Sequence, residues 1–143
     1  MNYEFHTNDA DETIALGVKI AALLKGARLV LLRGDLGAGK TTLVKGIAEA
    51  FGAAERDDVN SPTFTLVHEY RGPEVTVFHI DLYRIETERE LATLGLEEYL
   101  YDEHNLLLIE WGEKFPRLTR ERDVEIVIGR TGPDSRRFVV DKR

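Results

Sequence analysis

Cysteine is absent from the 143 residues, which excludes disulfides, a thiolate nucleophile and any zinc site built on sulfur. Basic charge is in short supply: 19 Lys and Arg stand against 26 Asp and Glu, for a net charge of −7. That balance argues against a broad nucleic-acid-binding surface. Long apolar runs are missing too. Those at 29–32 and 106–109 have the length of a strand, far short of the ~20 residues a bilayer span needs, so no membrane partner is expected. The N-terminal Met1-Asn2-Tyr3-Glu4-Phe5-His6 has neither a basic n-region nor an apolar h-region, so no signal peptide is expected and the expected location is cytoplasmic. Repeats, low-complexity tracts and linker-like stretches are also lacking, which leaves residues 1–143 as one expected domain.

What is present suffices for a core, with 43% hydrophobic residues. Charge is uneven along the chain: residues 117–143 carry a net +3, leaving −10 for residues 1–116. Such a basic tail reads first as solvated surface, and second as a contact for an acidic partner or a phosphate.

The pattern of residues predicts α/β architecture. Tyr3 and Phe5 alternate with Glu4 as in an edge strand. Asn8 or Asp9 caps a helix whose Ile14, Val18, Ala21 and Ala22 share one face, ending near Gly26. Leu29-Val30-Leu31-Leu32 reads as a strand covered on both faces. A helix follows over 41–51 with Leu43, Ile47 and Ala50 inward, and Gly52 stops it. Residues 63–70 and 75–82 alternate around Arg71-Gly72-Pro73-Glu74, predicting an antiparallel hairpin. Residues 87–101 are helical with a break at Gly95. A second buried strand covers 106–111, Pro116 closes a connection, and 124–128 with 138–140 form a last hairpin. Buried strands alternating with helices predict a mixed sheet with a parallel core, added antiparallel strands and flanking helices.

Gly34-Asp35-Leu36-Gly37-Ala38-Gly39-Lys40-Thr41 matches G-x-x-x-x-G-K-[ST] without a gap. Glycines let successive N–H groups turn toward phosphate oxygens. The helix that starts near Lys40 adds the positive end of its dipole. Lys40 supplies a point charge for the β- and γ-phosphates, and the Thr41 hydroxyl suits Mg²⁺. An apolar strand leading in and an amphipathic helix leading out are the context that distinguishes this motif from an accidental glycine-rich turn. ATP and Mg²⁺ are therefore the expected ligands.

Hydrolysis needs more: a carboxylate for the metal and a group to orient water. Glu110 ends Leu106-Leu107-Leu108-Ile109-Glu110, and Asp81 ends Val75-Thr76-Val77-Phe78-His79-Ile80-Asp81. The expected roles are Glu110 at the metal and Asp81 as base or water-orienting group, and on sequence grounds the two are exchangeable. His79 shares a strand face with Asp81 and suits packing or hydrogen bonding better than Mg²⁺, which prefers oxygen. Ser61-Pro62-Thr63 fits a switch sensing the γ-phosphate as well as it fits a plain loop. Arg33 and Arg84 lie near the motifs, but salt bridging accounts for them equally, so slow intrinsic turnover is expected.

In order, Gly34 to Thr42, Ser61-Pro62-Thr63-Phe64-Thr65-Leu66-Val67, His79-Ile80-Asp81-Leu82-Tyr83-Arg84 and Ile109-Glu110-Trp111 resemble the TsaE (YjeE) family, over roughly residues 9–128. The resemblance implies a P-loop ATPase serving formation of threonylcarbamoyladenosine in tRNA. It implies binding to the TsaB–TsaD complex, which itself transfers the threonylcarbamoyl group, and an ATP cycle that resets that complex between turnovers. Contact with tRNA could then be indirect, and direct contact stays open. Carried over by position, Gly37, Ala38, Gly39, Lys40, Thr41 and Thr42 hold the phosphates. Thr41 and Glu110 serve Mg²⁺, Asp81 is the further catalytic acid, and Asp9 lies near the nucleotide. Two other functions share the loop: a small-molecule kinase, and a nucleotide-gated binding module without turnover.

Overall fold

The apolar runs at 29–32 and 106–109 pair with each other in parallel, Leu29 opposite Leu107 through Leu32 opposite Glu110. Around this pair the computed structural model describes residues 1–35, 39–53 and 67–143. In chain order the elements are β1 (Asn2–Thr7), α1 (Ala10–Ala21), β2 (Leu29–Arg33), α2 (Lys40–Ala50), β3 (Val67–Arg71), β4 (Thr76–Asp81), α3 (Glu88–Ala92), α4 (Leu96–Tyr101), β5 (Asn105–Glu110), α5 (Pro116–Glu121), β6 (Val124–Arg130) and β7 (Arg136–Lys142). Among the described residues the strands form a seven-stranded sheet ordered β1-β7-β6-β2-β5-β4-β3. Its centre, β6-β2-β5-β4, is parallel. The pairs β1–β7, β6–β7 and β3–β4 are antiparallel. The expected fold class is the observed one.

Alternation along the central strands sorts their side chains into two layers. Val30, Leu32, Val77, Leu106 and Leu108 join Ile20 of α1 and Leu43, Val44 and Ile47 of α2 in one buried cluster. Leu29, Leu31, Phe78, Ile80, Leu107 and Ile109 join Leu91, Leu96 and Leu118 of α3, α4 and α5 in the other. Helical cover on both faces is the reason these strands read as unbroken apolar runs. Each fully buried aliphatic side chain contributes roughly 1.5–3 kcal/mol, so the strands and the helices that cover them share the core.

Helix α1 starts on Asp9, whose Oδ1 accepts the Glu12 amide at 2.8 Å. It is rotated from its expected setting. Val18 is 43% exposed and Ala22 is exposed, while Leu16, Gly17 and Ile20 turn inward. Ala50 of α2 is also exposed, with Val44 and Ala48 buried in its place. A glycine contact explains both shifts. A methyl on Gly17 would sit 2.5 Å from the Leu43 carbonyl oxygen, and one on Gly46 would collide with the Ile14 carbonyl. The helices cross backbone to backbone, and that contact, rather than the apolar stripe alone, sets which faces meet. Near Pro116 the chain forms α5 instead of a bare connection. The basic tail is partly neutralised within the chain: Arg117 pairs with Glu97 at 2.6 Å, and Arg137 with Glu4 at 2.6 Å. No helix among the described residues is long and apolar enough to cross a membrane.

Replacing Gly46 with Ala is expected to lower stability by about 1–3 kcal/mol, the cost of overpacking a close contact. Gly129→Ala, where a methyl would meet nothing within 4 Å, should stay within about 0.5 kcal/mol of the parent. Urea midpoints of the two variants check this.

Candidate functional site

The carboxyl ends of the parallel strands bring the motif residues together. Alternation continues from Leu106 and Leu108 to Glu110, and from Val77 through His79 to Asp81, so all three polar side chains point toward α2. Asp81 and Glu110 lie opposite each other in the β4–β5 register. Helix α2 begins after Gly39, whose φ of 106° lies in the left-handed region that suits glycine. A glycine brings no side chain to cap the helix, which leaves the first-turn N–H groups to face a ligand.

Lys40 leaves this helix end and reaches back across the strands. Its Nζ donates to the Gly34 carbonyl at 2.8 Å and lies 3.3 Å from Glu110 Oε1. His79 Nε2 donates to the other carboxylate oxygen, Oε2, at 2.5 Å. Exposure is 5% for Lys40, 5% for Glu110 and 0% for His79. A charge so deeply buried is sustained only with partners. Burial alone would raise the Glu110 carboxyl, but the His79 hydrogen bond and the charges of His79 and Lys40 outweigh it and hold the group below its ordinary value. Asp81 is displaced the other way. Burial pushes its carboxyl up, against the Tyr83 amide that it accepts at 2.9 Å, and the Glu110 carboxylate adds to the rise. Two facing carboxyls are thus driven apart, which separates one that stays ionised from one that accepts a proton more readily.

The segment after Asp81 is pinned from below: Lys114 Nζ donates to the carbonyls of Leu82 at 3.0 Å and Tyr83 at 2.9 Å. Thr41 and Thr42 are half-buried on the first turn of α2 beside Lys40. Gly37 and Ala38 of the loop, and Ser61, Pro62 and Thr63 of the expected switch, lie outside the described residues. The Asp9 carboxylate is engaged in capping α1, and its neighbour Ala10 lines a small hollow of about 80 Å³ with Thr13, Gly39, Thr42, Asp134 and Arg136. Arg33 and Arg84 are exposed.

Two residues near the loop have neighbours there that the sequence pattern does not show. Arg136 comes from the far end of the chain, and its side chain would be 3.7 Å from a methyl on Gly39; no local pattern announces a contact of that range. Trp111 was legible only as the residue after the acid, yet its ring centre lies 5.1 Å from Lys40 Nζ. A larger cleft of about 860 Å³ opens at the opposite end of the sheet, among Ala22, Gly26, Phe51, Pro73 and His104, and its described lining includes none of Lys40, His79, Asp81 and Glu110. The buried charged side chains lie at the smaller end.

For a divalent cation the donors are oxygens: the Thr41 hydroxyl with the carboxylates of Glu110 and Asp81. That set suits Mg²⁺, which binds through one or two carboxylates with phosphates and water. Among the described residues no group of three or more His, Cys, Asp or Glu side chains could hold a metal by itself.

A sequence model described as "Threonylcarbamoyl adenosine biosynthesis protein TsaE" matches residues 7–138. The chain is 40% identical over 133 residues to the tRNA threonylcarbamoyladenosine biosynthesis protein TsaE of Bacillus subtilis, covering 93% of this chain and 81% of that one. It is 38% identical over 136 residues to the protein of the same name from Rickettsia bellii, covering 95% and 92%. A crystal structure of Bacillus subtilis YdiB superposes with a TM-score of 0.77 at 32% identity, over 99% of this chain and 86% of the other.

Asp81→Asn tests the raised carboxyl. A folded-state value above the unfolded one means that ionised Asp81 costs stability at neutral pH. The Asn variant should therefore melt higher than the parent at pH 7. Its advantage should shrink as the pH falls through the carboxylate range, where the parent residue is protonated. A lower melting temperature at pH 7, or an advantage independent of pH, contradicts the assignment.

Proposed function

This chain belongs to the TsaE family, and from that membership we propose that it is a cytoplasmic, magnesium-dependent ATPase needed for threonylcarbamoyladenosine formation in tRNA, acting by ATP binding and hydrolysis on the TsaB–TsaD complex. The observation that carries the reading is the approach of Lys40 Nζ to within 3.3 Å of Glu110 Oε1 at the start of α2. A phosphate-loop lysine and a strand-end carboxylate converge where terminal phosphates would be received.

In this reading the amides at the start of α2 and the Lys40 ammonium bind the β- and γ-phosphates. Thr41 and Glu110 would hold Mg²⁺, which neutralises charge that develops on the phosphate oxygens. His79 fixes the Glu110 carboxylate through Oε2, leaving Oε1 toward Lys40. Asp81, whose carboxyl burial holds above its ordinary value, orients the attacking water and receives its proton as the new P–O bond forms and the bond to ADP breaks. The net charge of −7 favours contact with protein partners over tRNA phosphates.

Removing one member of a buried ion pair costs about 3–5 kcal/mol, so a truncation would confuse lost folding with lost chemistry. Glu110→Gln keeps the shape of the side chain but removes its charge, so its melting temperature is measured beside its activity to separate the two. Phosphate release from ATP should rise when TsaB–TsaD and tRNA are added to the parent chain, and should fall about 10²-fold or more in the Gln variant. Release that is unchanged in the variant, or phosphate recovered on a small molecule rather than free in solution, overturns the proposal.

A further inference from the structure

Trp111 is the one non-glycine residue among those described with a positive φ, 65°. Residues with a Cβ avoid this region, and bulky ones most of all. Such backbone persists where its surroundings impose it, and it gathers at functional sites. Here the surroundings are tight on both sides. The preceding residue is Glu110, locked by His79 and Lys40. The following residue, Gly112, is buried so closely that a methyl on it would come within 2.6 Å of Leu31 Cδ2.

The unusual backbone has a geometric result. An extended chain would send residue 111 to the same face as Leu107 and Ile109. Trp111 does pack against that layer, yet its ring also stands 5.1 Å from the ammonium of Lys40, which belongs to the other layer. The indole lies across the end of the sheet and touches both. Its outer side meets Tyr83, with ring centres 5.3 Å apart, and Tyr83 is held through its own backbone by Asp81 and Lys114.

We propose that Trp111 is a positioning residue for Lys40: its ring, the Gly34 carbonyl and Glu110 Oε1 form three sides of a cradle that aims the ammonium at the phosphates of the bound nucleotide. The inference rests on the reading that Lys40 receives the β- and γ-phosphates. A ring this close to a buried ammonium attracts it through the negative face of the π-system. The left-handed backbone at 111 is what brings the ring there.

The test compares affinities for ATP and for AMP, which lacks the phosphates that Lys40 serves, by calorimetry on the full chain. Trp111→Asn removes the ring and tolerates the left-handed backbone better than tryptophan. It is expected to bind ATP about 5- to 30-fold more weakly, the factor set by a contact of ~1–2 kcal/mol at 1.4 kcal/mol per tenfold. AMP affinity should be unchanged and the melting temperature equal or higher. Trp111→Phe, which keeps a ring, should lose less ATP affinity than the Asn variant. Because Trp111 is the single tryptophan of the chain, Lys40→Met should shift the intrinsic emission even if the Asn variant fails to fold. ATP affinity equal to the parent in the Asn variant overturns the proposal. So does a parallel loss of ATP and AMP binding with a lower melting temperature, or an emission unmoved by Lys40→Met. A parent chain that binds no ATP instead overturns the nucleotide reading on which the proposal rests.

Discussion

Everything at the carboxyl end of the sheet depends on how the Lys40 charge is kept out of water. An ammonium that is 5% exposed is unfavourable unless partners replace its hydration, and desolvation of a lone ion costs several kcal/mol. The structure supplies a carbonyl, a carboxylate and an aromatic face. Glu110 in turn needs its own second partner, which His79 provides. One buried cation thus organises three other side chains, and each occupies a position that the strand geometry makes available.

The sheet makes that arrangement possible through its parallel centre. Neighbouring parallel strands finish at the same end, so acids that terminate β4 and β5 come to rest side by side, Asp81 opposite Glu110. The helix that follows β2 starts at that end as well. Its approach is fixed by α1, which meets α2 through Gly17 and Gly46. A rotation of either helix would carry Lys40 away from the carboxylates. The glycine crossing is therefore part of the site, although it lies among residues with no chemistry of their own.

Much of this was legible in the residues. The runs at 29–32 and 106–109 identified the central strands because covering on both faces forces apolar residues at every position. The G-x-x-x-x-G-K-[ST] motif identified the start of α2, and the acids at 81 and 110 stood out as charges directly after buried segments. Other features were not legible, for physical reasons. The facing of α1 went astray at Val18 and Ala22 because a hydrophobic stripe reports apolarity, whereas the crossing is decided by the absence of side chains at Gly17 and Gly46. The helix at Pro116 was missed because its six residues bury little beyond Leu118, too few for a periodic pattern. Arg136 reaches Gly39 from the opposite end of the chain, and tertiary contact of that kind leaves no mark on local sequence. The left-handed backbone at Trp111 is invisible for the same reason, since nothing in the residue type favours it.

The alternation of β5 also bears on which genetic lesions the protein tolerates. Leu106, Leu107, Leu108 and Ile109 are chemically near-equivalent, so exchange of one aliphatic residue for another there costs packing alone. Loss of a single codon from the same run is a different event. Every hydrophobic residue that remains still finds a buried place, but the terminal acid is turned by one step to the far layer. The lysine is then stranded without its counter-ion while the chain retains an almost unchanged composition. In this strand, spacing is a stricter inheritance than identity.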